Sequence, residues 1–150
     1  MITIQKAVEE DWAIVLDLLQ RQFTEHQIDV DEATLTFAIQ EELRNEKLGI
    51  FLLARQDERP IGFAAIVFTW TLEHGGNSAW LEELYVLPKL RSAGIGSQLI
   101  DATIVETTKL GCKAIDLEVE EEHERAEHLY QHKGFHLLNR RRWALILEHK

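Results

Sequence analysis

The chain has 150 residues, 45% of them hydrophobic, and is therefore long enough for one domain with an ordinary core. Its 26 acidic and 16 basic residues give a net charge of −10, which argues against a nucleic-acid partner and favours cationic small molecules. The single cysteine, Cys112, cannot form an internal disulfide, and no apolar run approaches the roughly 18 residues of a membrane span. We therefore expect a soluble, cytoplasmic protein with no membrane partner.

Hydrophobic periodicity predicts alternating helices and strands within one domain, residues 1–150. The predicted elements, in chain order, are a strand at Ile2–Ile4, helices from Trp12 to about residue 24 and from Asp31 or Glu32 to Asn45, strands at Gly49–Gln56, Ile61–Thr71 and 80–87, a helix at 94–110, a strand at Lys113–Val119, a helix from Glu121 or Glu122 to Lys133, and strands at Phe135–Leu138 and Trp143–Leu147. The strand–helix–strand order around residues 94–110 implies a right-handed crossover with parallel pairing. We expect an α/β (α+β) sandwich with a mixed, mostly antiparallel sheet of six or seven strands and about four helices.

The stretch from Leu81 to Gln98 carries the strongest functional signal. An apolar strand ends at Pro88, a short charged loop follows, and an amphipathic helix begins near Gly94. Unpaired N–H groups at a helix N-terminus form an anion site, and glycines at positions 94 and 96 let a phosphate approach the backbone. Because Arg91 adds positive charge, the stretch predicts a diphosphate site.

Two common glycine-rich motifs do not fit this stretch. A P-loop requires G-x-x-x-x-G-K-[ST], which the sequence lacks. A dinucleotide fingerprint, G-x-G-x-x-G, must follow its strand directly, whereas a loop intervenes here. Its third glycine is also missing, because Leu99 stands at that position. The sequence therefore favours another class of diphosphate ligand and leaves a nicotinamide dinucleotide as the weaker alternative.

The sequence Arg91-Ser92-Ala93-Gly94-Ile95-Gly96 resembles the R/Q-x-x-G-x-G/A signature of the GNAT family of N-acetyltransferases. Downstream, the family pattern L-x-V…N-x-x-A-x-x-L-Y-x-x-x-G-F is similar to Leu117-Glu118-Val119, Glu124-Arg125-Ala126, Leu129-Tyr130 and Gly134-Phe135. The two motif blocks have the family's spacing, and the resemblance covers about residues 1–147. It implies the GNAT fold, acetyl-CoA as cosubstrate and an amine as acceptor.

The resemblance also implies which residues contact the cosubstrate. The pyrophosphate would lie on the loop and helix start, formed by Arg91, Ser92, Ala93, Gly94, Ile95, Gly96 and Ser97. Strand splaying beside Leu84, Tyr85 and Val86 would free a backbone N–H for the thioester oxygen. His123 stands where the family often has Asn for a polar cofactor contact, while Ser92 and Ala93 replace the usual Gly and basic residue.

Glu82 and Glu83 interrupt the apolar strand, which requires a reason. Strict alternation would place them on opposite faces, so that one would face a substrate unless a bulge intervenes. LEELYVLP resembles the diamine acetyltransferases, where the first acid of the pair has a part, here Glu82. Because a carboxylate near pKa 4.3 is a poor base for an ammonium, cation binding and water ordering are the expected tasks. An ion pair with a neighbouring Arg or Lys is the alternative.

Tyr130 shares a predicted helix face with Ala126 and Leu129, which directs its ring toward the sheet. A core tyrosine with a satisfied hydroxyl is one interpretation. In the GNAT family the tyrosine of the L-Y pair lies beside the thioester sulfur and protonates the departing thiolate. The resemblance therefore implies that Tyr130 is the general acid.

Weaker signals concern the substrate and metals. In the family, the loop after the first helix covers the substrate site, so Glu25 and His26 are candidate substrate contacts, and Glu118 is an alternative base. The last predicted helix carries Glu124, His128 and His132 at a spacing that could hold a metal. Because these three residues fall on its polar face, solvation or ion pairing is the preferred interpretation, and no metal is predicted.

Together these features predict an acetyl-CoA-dependent N-acetyltransferase that acts by direct transfer. The acceptor would be the primary amine of a cationic small molecule, such as a polyamine, a diamine or an amino acid. A protein or peptide N-terminus is an alternative acceptor, and a non-catalytic acyl-CoA-binding module is the alternative of a different class. We therefore expect the protein to bind a small-molecule amine and to form a homodimer.

Overall fold

The computed structural model describes residues 1–119 and 124–148, and the chain divides into two compact units, Met1–Glu118 and Val119–Lys150. The elements of the first unit, in chain order, are β1 (Ile2–Lys6), α1 (Trp12–Glu25), α2 (Glu32–Arg44), β2 (Gly49–Gln56), β3 (Arg59–Thr71), β4 (Gly76–Val86), α3 (Ile95–Lys109) and β5 (Ile115–Leu117). The strands form one sheet in the order β1-β2-β3-β4-β5. The β1–β2, β2–β3 and β3–β4 pairs are antiparallel and the β4–β5 pair is parallel. The predicted mixed, mostly antiparallel sheet is confirmed.

Helices cover both faces of this sheet, which explains the almost continuous apolar sequence of β2 and β3. On one face, α1 and α2 pack against alternate strand residues, among them Phe51, Phe63 and Tyr85. On the other face, Leu52 lies beside Val105 of α3. Because side chains alternate along a strand, the two helical layers divide the sheet residues between them.

Helix α3 buries two threonine hydroxyls without leaving them unpaired. The hydroxyl of Thr103 donates to the carbonyl of Leu99 at 2.8 Å, and that of Thr107 donates to the carbonyl of Thr103 at 2.7 Å. Bonds to the preceding helical turn satisfy a buried hydroxyl at little cost. The apolar face predicted for this helix therefore includes these two threonines.

The second unit contains α4 (Glu124–His132). Its half-buried side chains include Ala126, Leu129 and Tyr130, as the predicted shared face requires. Gly134 adopts the left-handed φ of +101° just after the helix, and the ring of Phe135 contacts that of Tyr130 edge-on, with centroids 5.8 Å apart. The predicted helix start at residue 121 or 122 lies outside the described residues.

The predicted strands at Phe135–Leu138 and Trp143–Leu147 are wrong, because residues 135–148 contain no strand. The described sheet therefore has five strands instead of six or seven. Large apolar side chains of this segment remain exposed, with Trp143 at 84% and Leu147 at 85%. Strand propensity measures how well a residue fits a half-buried pleated surface. It does not show whether a partner strand is available for pairing, so the apolar sequence alone predicted strands that do not form.

Membrane association has no support from helix length. Within residues 1–119 and 124–148, no helix combines the length and the apolar character needed to cross a bilayer.

Candidate active site

The loop between β4 and α3 presents bare backbone at the start of a helix. A short 3₁₀ turn at Pro88–Leu90 leads into two left-handed residues, Ser92 with φ of +72° and Gly94 with φ of +83°. Apart from adjoining backbone, no described atom lies within 4 Å of the place that a Cβ on Gly94 or Gly96 would occupy. The space that a phosphate would need at these two glycines is therefore open.

The helix start also supplies donors for an anion. The N–H of Gln98 donates to the carbonyl of Gly94 at 3.1 Å, so the N–H groups of residues 95–97 precede the first bond of this type in α3. The N-cap residue is Gly94, which has no side chain that could accept from these N–H groups. Unpaired N–H groups together with the positive end of the helix dipole fit a diphosphate, as the sequence predicts.

Arg91 lies in this loop, but its guanidinium already has partners in the protein. Its Nη2 contacts Oε2 of Glu25 at 2.7 Å, its Nε donates to the carbonyl of Val86 at 3.0 Å, and its Cζ lies 5.5 Å from the centroid of the Tyr85 ring. The structure thus brings together a predicted phosphate ligand and a predicted substrate contact. His26, the other predicted substrate contact, is the exposed residue that ends α1.

The ladder between β4 and β5 ends before β4 does. Parallel pairing runs from Ala79 and Ile115 to Leu81 and Leu117, whereas β4 continues to Val86. On its other side, β4 stays paired with β3 as far as Val86. The edge of residues 82–86 that faces away from β3 is therefore outside the β5 ladder. The splaying beside residues 84–86 stays a prediction.

A β-bulge lies at the two glutamates of β4. Ala65 of β3 pairs with Glu83, but the next residue, Ile66, pairs with Leu81, so Glu82 is an extra residue in the ladder. A bulge interrupts strict alternation. The bulge that would allow Glu82 and Glu83 to serve one site is therefore present.

The Glu83 carboxyl is tuned toward neutral pH. It is half-buried beneath the layer of α1 and α2, because it pairs with Ala65 on that face of the sheet. Burial raises its pKa to about 7, repulsion from Glu82 acts in the same direction, and a hydrogen bond with Gln22 of α1 opposes both. A carboxyl near pKa 7 is a better general base than the ordinary one assumed from sequence.

A third carboxyl, Glu42 of α2, belongs to the same environment. Burial raises its pKa to about 8, and repulsion from Glu82 adds to the effect. Its carboxyl packs over Gly49, where a Cβ would lie 3.0 Å from the Glu42 Cδ. The missing side chain at Gly49 therefore makes room for this carboxyl above the sheet.

Two buried acceptor atoms in this region have no donor among the described residues. Gln22 is only 6% exposed, and its Oε1 makes no hydrogen bond within the described residues. The Oε2 of Glu42 is buried and unpaired in the same sense. Leaving a buried polar atom unpaired costs about 1–3 kcal/mol, so such atoms require an explanation. Gln22, Glu42, Glu82 and Glu83 are called the acidic cluster below.

Gln22 and Glu42 were not predicted from the sequence as site residues, although a signal was present. Gln22 follows Leu19 by three positions on the inward stripe of α1, and Glu42 follows Ile39 by three positions on that of α2. A polar residue at an inward position of an amphipathic helix is the exception that indicates a site.

The remaining predicted residues are placed as follows. Glu118 is exposed and follows the end of β5 directly. Tyr130 lies on α4 in the second unit, where burial raises its pKa above the ordinary value of 10.0. His123 falls outside the described residues.

Comparison with known proteins identifies the family of the chain. The model of the acetyltransferase (GNAT) family matches residues 12–135, so the chain belongs to that family. A mycothiol acetyltransferase of Propionibacterium freudenreichii is 35% identical over 91 residues, which are 59% of this chain and 28% of that protein. A mouse thialysine N-epsilon-acetyltransferase is 31% identical over 77 residues, 49% of this chain and 43% of that protein. The chain thus spans less than half the length of these two relatives.

The fold of the whole chain is shared with solved structures. The crystal structure of a predicted acetyltransferase with acetyl-CoA from Clostridium acetobutylicum superposes with a TM-score of 0.82 at 22% identity, covering 99% of each chain. At this identity the likeness concerns the fold, and it confirms the predicted fold class.

The raised pKa of Glu42 predicts how stability depends on pH. The folded-state pKa of about 8 exceeds the reference value of 4.5, so the folded protein binds this proton more tightly. The free energy of unfolding should therefore fall as pH rises from about 4.5 to about 8. Glu42→Gln should remove this loss and be more stable than the parent at pH 9 by roughly 1–3 kcal/mol, allowing for partial exposure.

Chemical denaturation of parent and variant at pH 5, 7 and 9 measures this difference. Glu41→Gln is the matched control, because Glu41 is the exposed neighbour that lies 3.6 Å from Arg44. Parallel pH profiles for the parent and Glu42→Gln would contradict the prediction.

Proposed function

We propose that the chain transfers the acetyl group of acetyl-CoA directly to the primary amine of a cationic small molecule. The observation that carries this proposal is the pairing of two features on one strand–loop–helix segment. The open N–H groups at the start of α3 suit a diphosphate, and the bulge in β4 presents two glutamates to the side of the sheet that carries α1 and α2. Family membership and relatives named as acetyltransferases support the same reaction.

The proposed acid–base chemistry begins at Glu83. A protonated alkyl amine has a pKa near 10.4 and must lose a proton before it can attack a thioester. With its pKa raised to about 7, Glu83 accepts that proton at physiological pH far better than an ordinary carboxylate. Glu82, which is more exposed, attracts the cation and keeps the Glu83 pKa high.

The other half of the reaction concerns the thioester. The carbon–nitrogen bond forms as the carbon–sulfur bond breaks, so the carbonyl oxygen gains charge and the sulfur leaves as a thiolate. The free edge of β4 at residues 84–86 offers backbone N–H groups for the oxygen. Tyr130 supplies the proton to the sulfur, a role that rests on the family resemblance.

Acceptors other than small molecules remain as alternatives to be tested. A protein or peptide N-terminus would also present an amine to the glutamates of β4. A non-catalytic acyl-CoA-binding module would retain the loop and the helix start but make no use of Glu83. Thiol release measured over a panel of amines and peptides, alongside calorimetry with acetyl-CoA, separates these three. A cytoplasmic location and a homodimer stay predictions.

Gly96→Leu tests the diphosphate site. A Cβ at this position meets no described atom within 4 Å, so the variant should fold normally. The side chain would occupy the approach of the pyrophosphate, and affinity for acetyl-CoA should fall tenfold or more, about 1.4 kcal/mol. Isothermal titration gives the affinity and thermal unfolding gives the control. Parental affinity in a folded Gly96→Leu would place the diphosphate elsewhere.

Glu83→Gln and Glu82→Gln test the proposed base as a pair. For the parent, kcat/KM should rise with pH and level off above about pH 7, where the Glu83 carboxyl has lost its proton. Glu83→Gln should lose this dependence and about 10²-fold in kcat/KM. Glu82→Gln should retain it, but shifted to lower pH, because repulsion from Glu82 raises the Glu83 pKa.

Full pH profiles of kcat/KM for the three proteins provide the measurement. If the pH dependence survived in Glu83→Gln and vanished in Glu82→Gln, the base would be Glu82.

Tyr130→Phe tests the proposed acid. Phenylalanine preserves the ring contact with Phe135, so stability should change by no more than about 1–2 kcal/mol. Removal of the hydroxyl should lower kcat by roughly 10²–10⁴-fold while acetyl-CoA affinity stays nearly constant. Steady-state kinetics with calorimetry on the same sample measures both. Activity within twofold of the parent would show that Tyr130 is a core residue and that water protonates the sulfur.

A further inference from the structure

Arg91 joins the end of one helix to the start of another. It lies three residues before Gly94, the N-cap of α3, where the helix dipole is positive and favours an anion. Its Nη2 contacts Oε2 of Glu25 at 2.7 Å, and Glu25 is the last residue of α1, where the dipole is negative. The guanidinium is therefore paired with the helix end that favours a cation, although its loop leads into a helix start that favours an anion.

The backbone of its own turn fixes the position of Glu25 at the end of α1. The N–H of Ile28 donates to the carbonyl of Phe23 at 2.8 Å, and Gln27 between them has a left-handed φ of +57°. This arrangement closes a helix in the manner of a Schellman motif, which needs no side chain. Removal of the Glu25 charge should therefore release Arg91 without unwinding the turn.

A second contact places Arg91 beside the end of β4. Its Nε donates to the carbonyl of Val86 at 3.0 Å. The N–H of Leu87 donates to the carbonyl of Ile61 in β3 at 2.9 Å. Because antiparallel strands exchange these bonds at every second pair, the carbonyl of Val86 points away from β3. Arg91 is thus held at the edge where the thioester is proposed to lie, in the loop that would receive the diphosphate.

We propose that Glu25 is an internal competitor of the diphosphate for Arg91, so that cosubstrate binding exchanges one anionic partner of this guanidinium for another. The inference deepens the proposed function and rests on its diphosphate site. The side chains of Arg91 and Glu25 are 42% and 36% exposed, and ion pairs with this much exposure are weak. Several phosphate oxygens, which bind a guanidinium through paired hydrogen bonds, can therefore displace one carboxylate.

The competition would weaken the binding of acetyl-CoA and of the product CoA alike. Differences in affinity between closely related complexes lie mostly in the dissociation rate. Return of the Glu25 carboxylate to Arg91 would therefore speed the release of CoA after each transfer. Glu25 would act through Arg91 as a positioning residue, without touching the reacting atoms.

Calorimetry with CoA and with inorganic pyrophosphate provides the test on the parent, Glu25→Gln, Arg91→Ala and the double variant. Glu25→Gln should bind both ligands about two- to fivefold more tightly, which is the range expected for a partly exposed ion pair. In the Arg91→Ala background the same substitution should leave both affinities unchanged, because the contested guanidinium is gone.

Two matched controls separate this exchange from a general change of charge. Glu41→Gln removes one negative charge from an exposed position on α2 and should keep the parental affinities. Lys89 is the other cation of the loop and is exposed, so Glu25→Gln should still gain affinity in a Lys89→Ala background. Thermal unfolding checks that each variant is folded.

The outcomes distinguish this inference from the proposed function. Equal or weaker binding of CoA by a folded Glu25→Gln would refute the competition. A gain in affinity that persists in the Arg91→Ala background would also refute it, because Glu25 would then repel the anion directly. If amines are acetylated but CoA affinity is insensitive to Glu25, the exchange fails and the proposed function stands. If the affinities change as expected but no amine is acetylated, the exchange stands and the proposed transfer fails.

Discussion

Strand β4 is paired with β3 to its end but with β5 only as far as Leu81, and the arrangement of the candidate site depends on this difference. The residues beyond Leu81 have backbone groups on one edge that the β5 ladder does not use. At the same point the extra residue Glu82 interrupts alternation. A single stretch of β4 thus combines backbone that lies outside the β5 ladder with two adjacent carboxyls, which are the two features that the proposed transfer requires.

The acidic cluster illustrates what it costs to keep carboxyls ready for a cation. Burial and mutual repulsion make the charged forms of Glu42 and Glu83 unfavourable, so each holds its proton to a higher pH than an exposed glutamate. A nearby ammonium would favour the charged carboxylate and so lower the pKa of these glutamates. If a cationic amine binds here as proposed, proton release and cation binding are linked, and the cation restores part of the stability that burial cost. The overall charge of −10 acts in the same direction by attracting cations.

The sequence was sufficient for features that depend on local pattern. Helix and strand periods located all five described strands, and Gly94 marked the start of α3. It was not sufficient where the outcome depends on a distant partner. The bulge at Glu82 depends on how β3 pairs with β4, and the pairing of Glu25 with Arg91 joins residues 66 positions apart. The two strands predicted in the C-terminal apolar segment are wrong for the same reason, because composition does not show whether a partner strand is available.

The contact between Glu25 and Arg91 changes how the anion site should be understood. From sequence, Arg91 looked like a mobile positive charge for the diphosphate, in a loop where a second basic residue is missing at Ala93. In the structure its guanidinium is held by a carboxylate, a backbone carbonyl and an aromatic ring. An anion could recruit this charge only in competition with Glu25, whose carboxylate already contacts it at 2.7 Å. The backbone N–H groups at the start of α3 therefore supply the attraction that costs no internal contact. In a chain with a large negative charge, local backbone dipoles are the means by which the proposed site would hold an anion that the net charge repels.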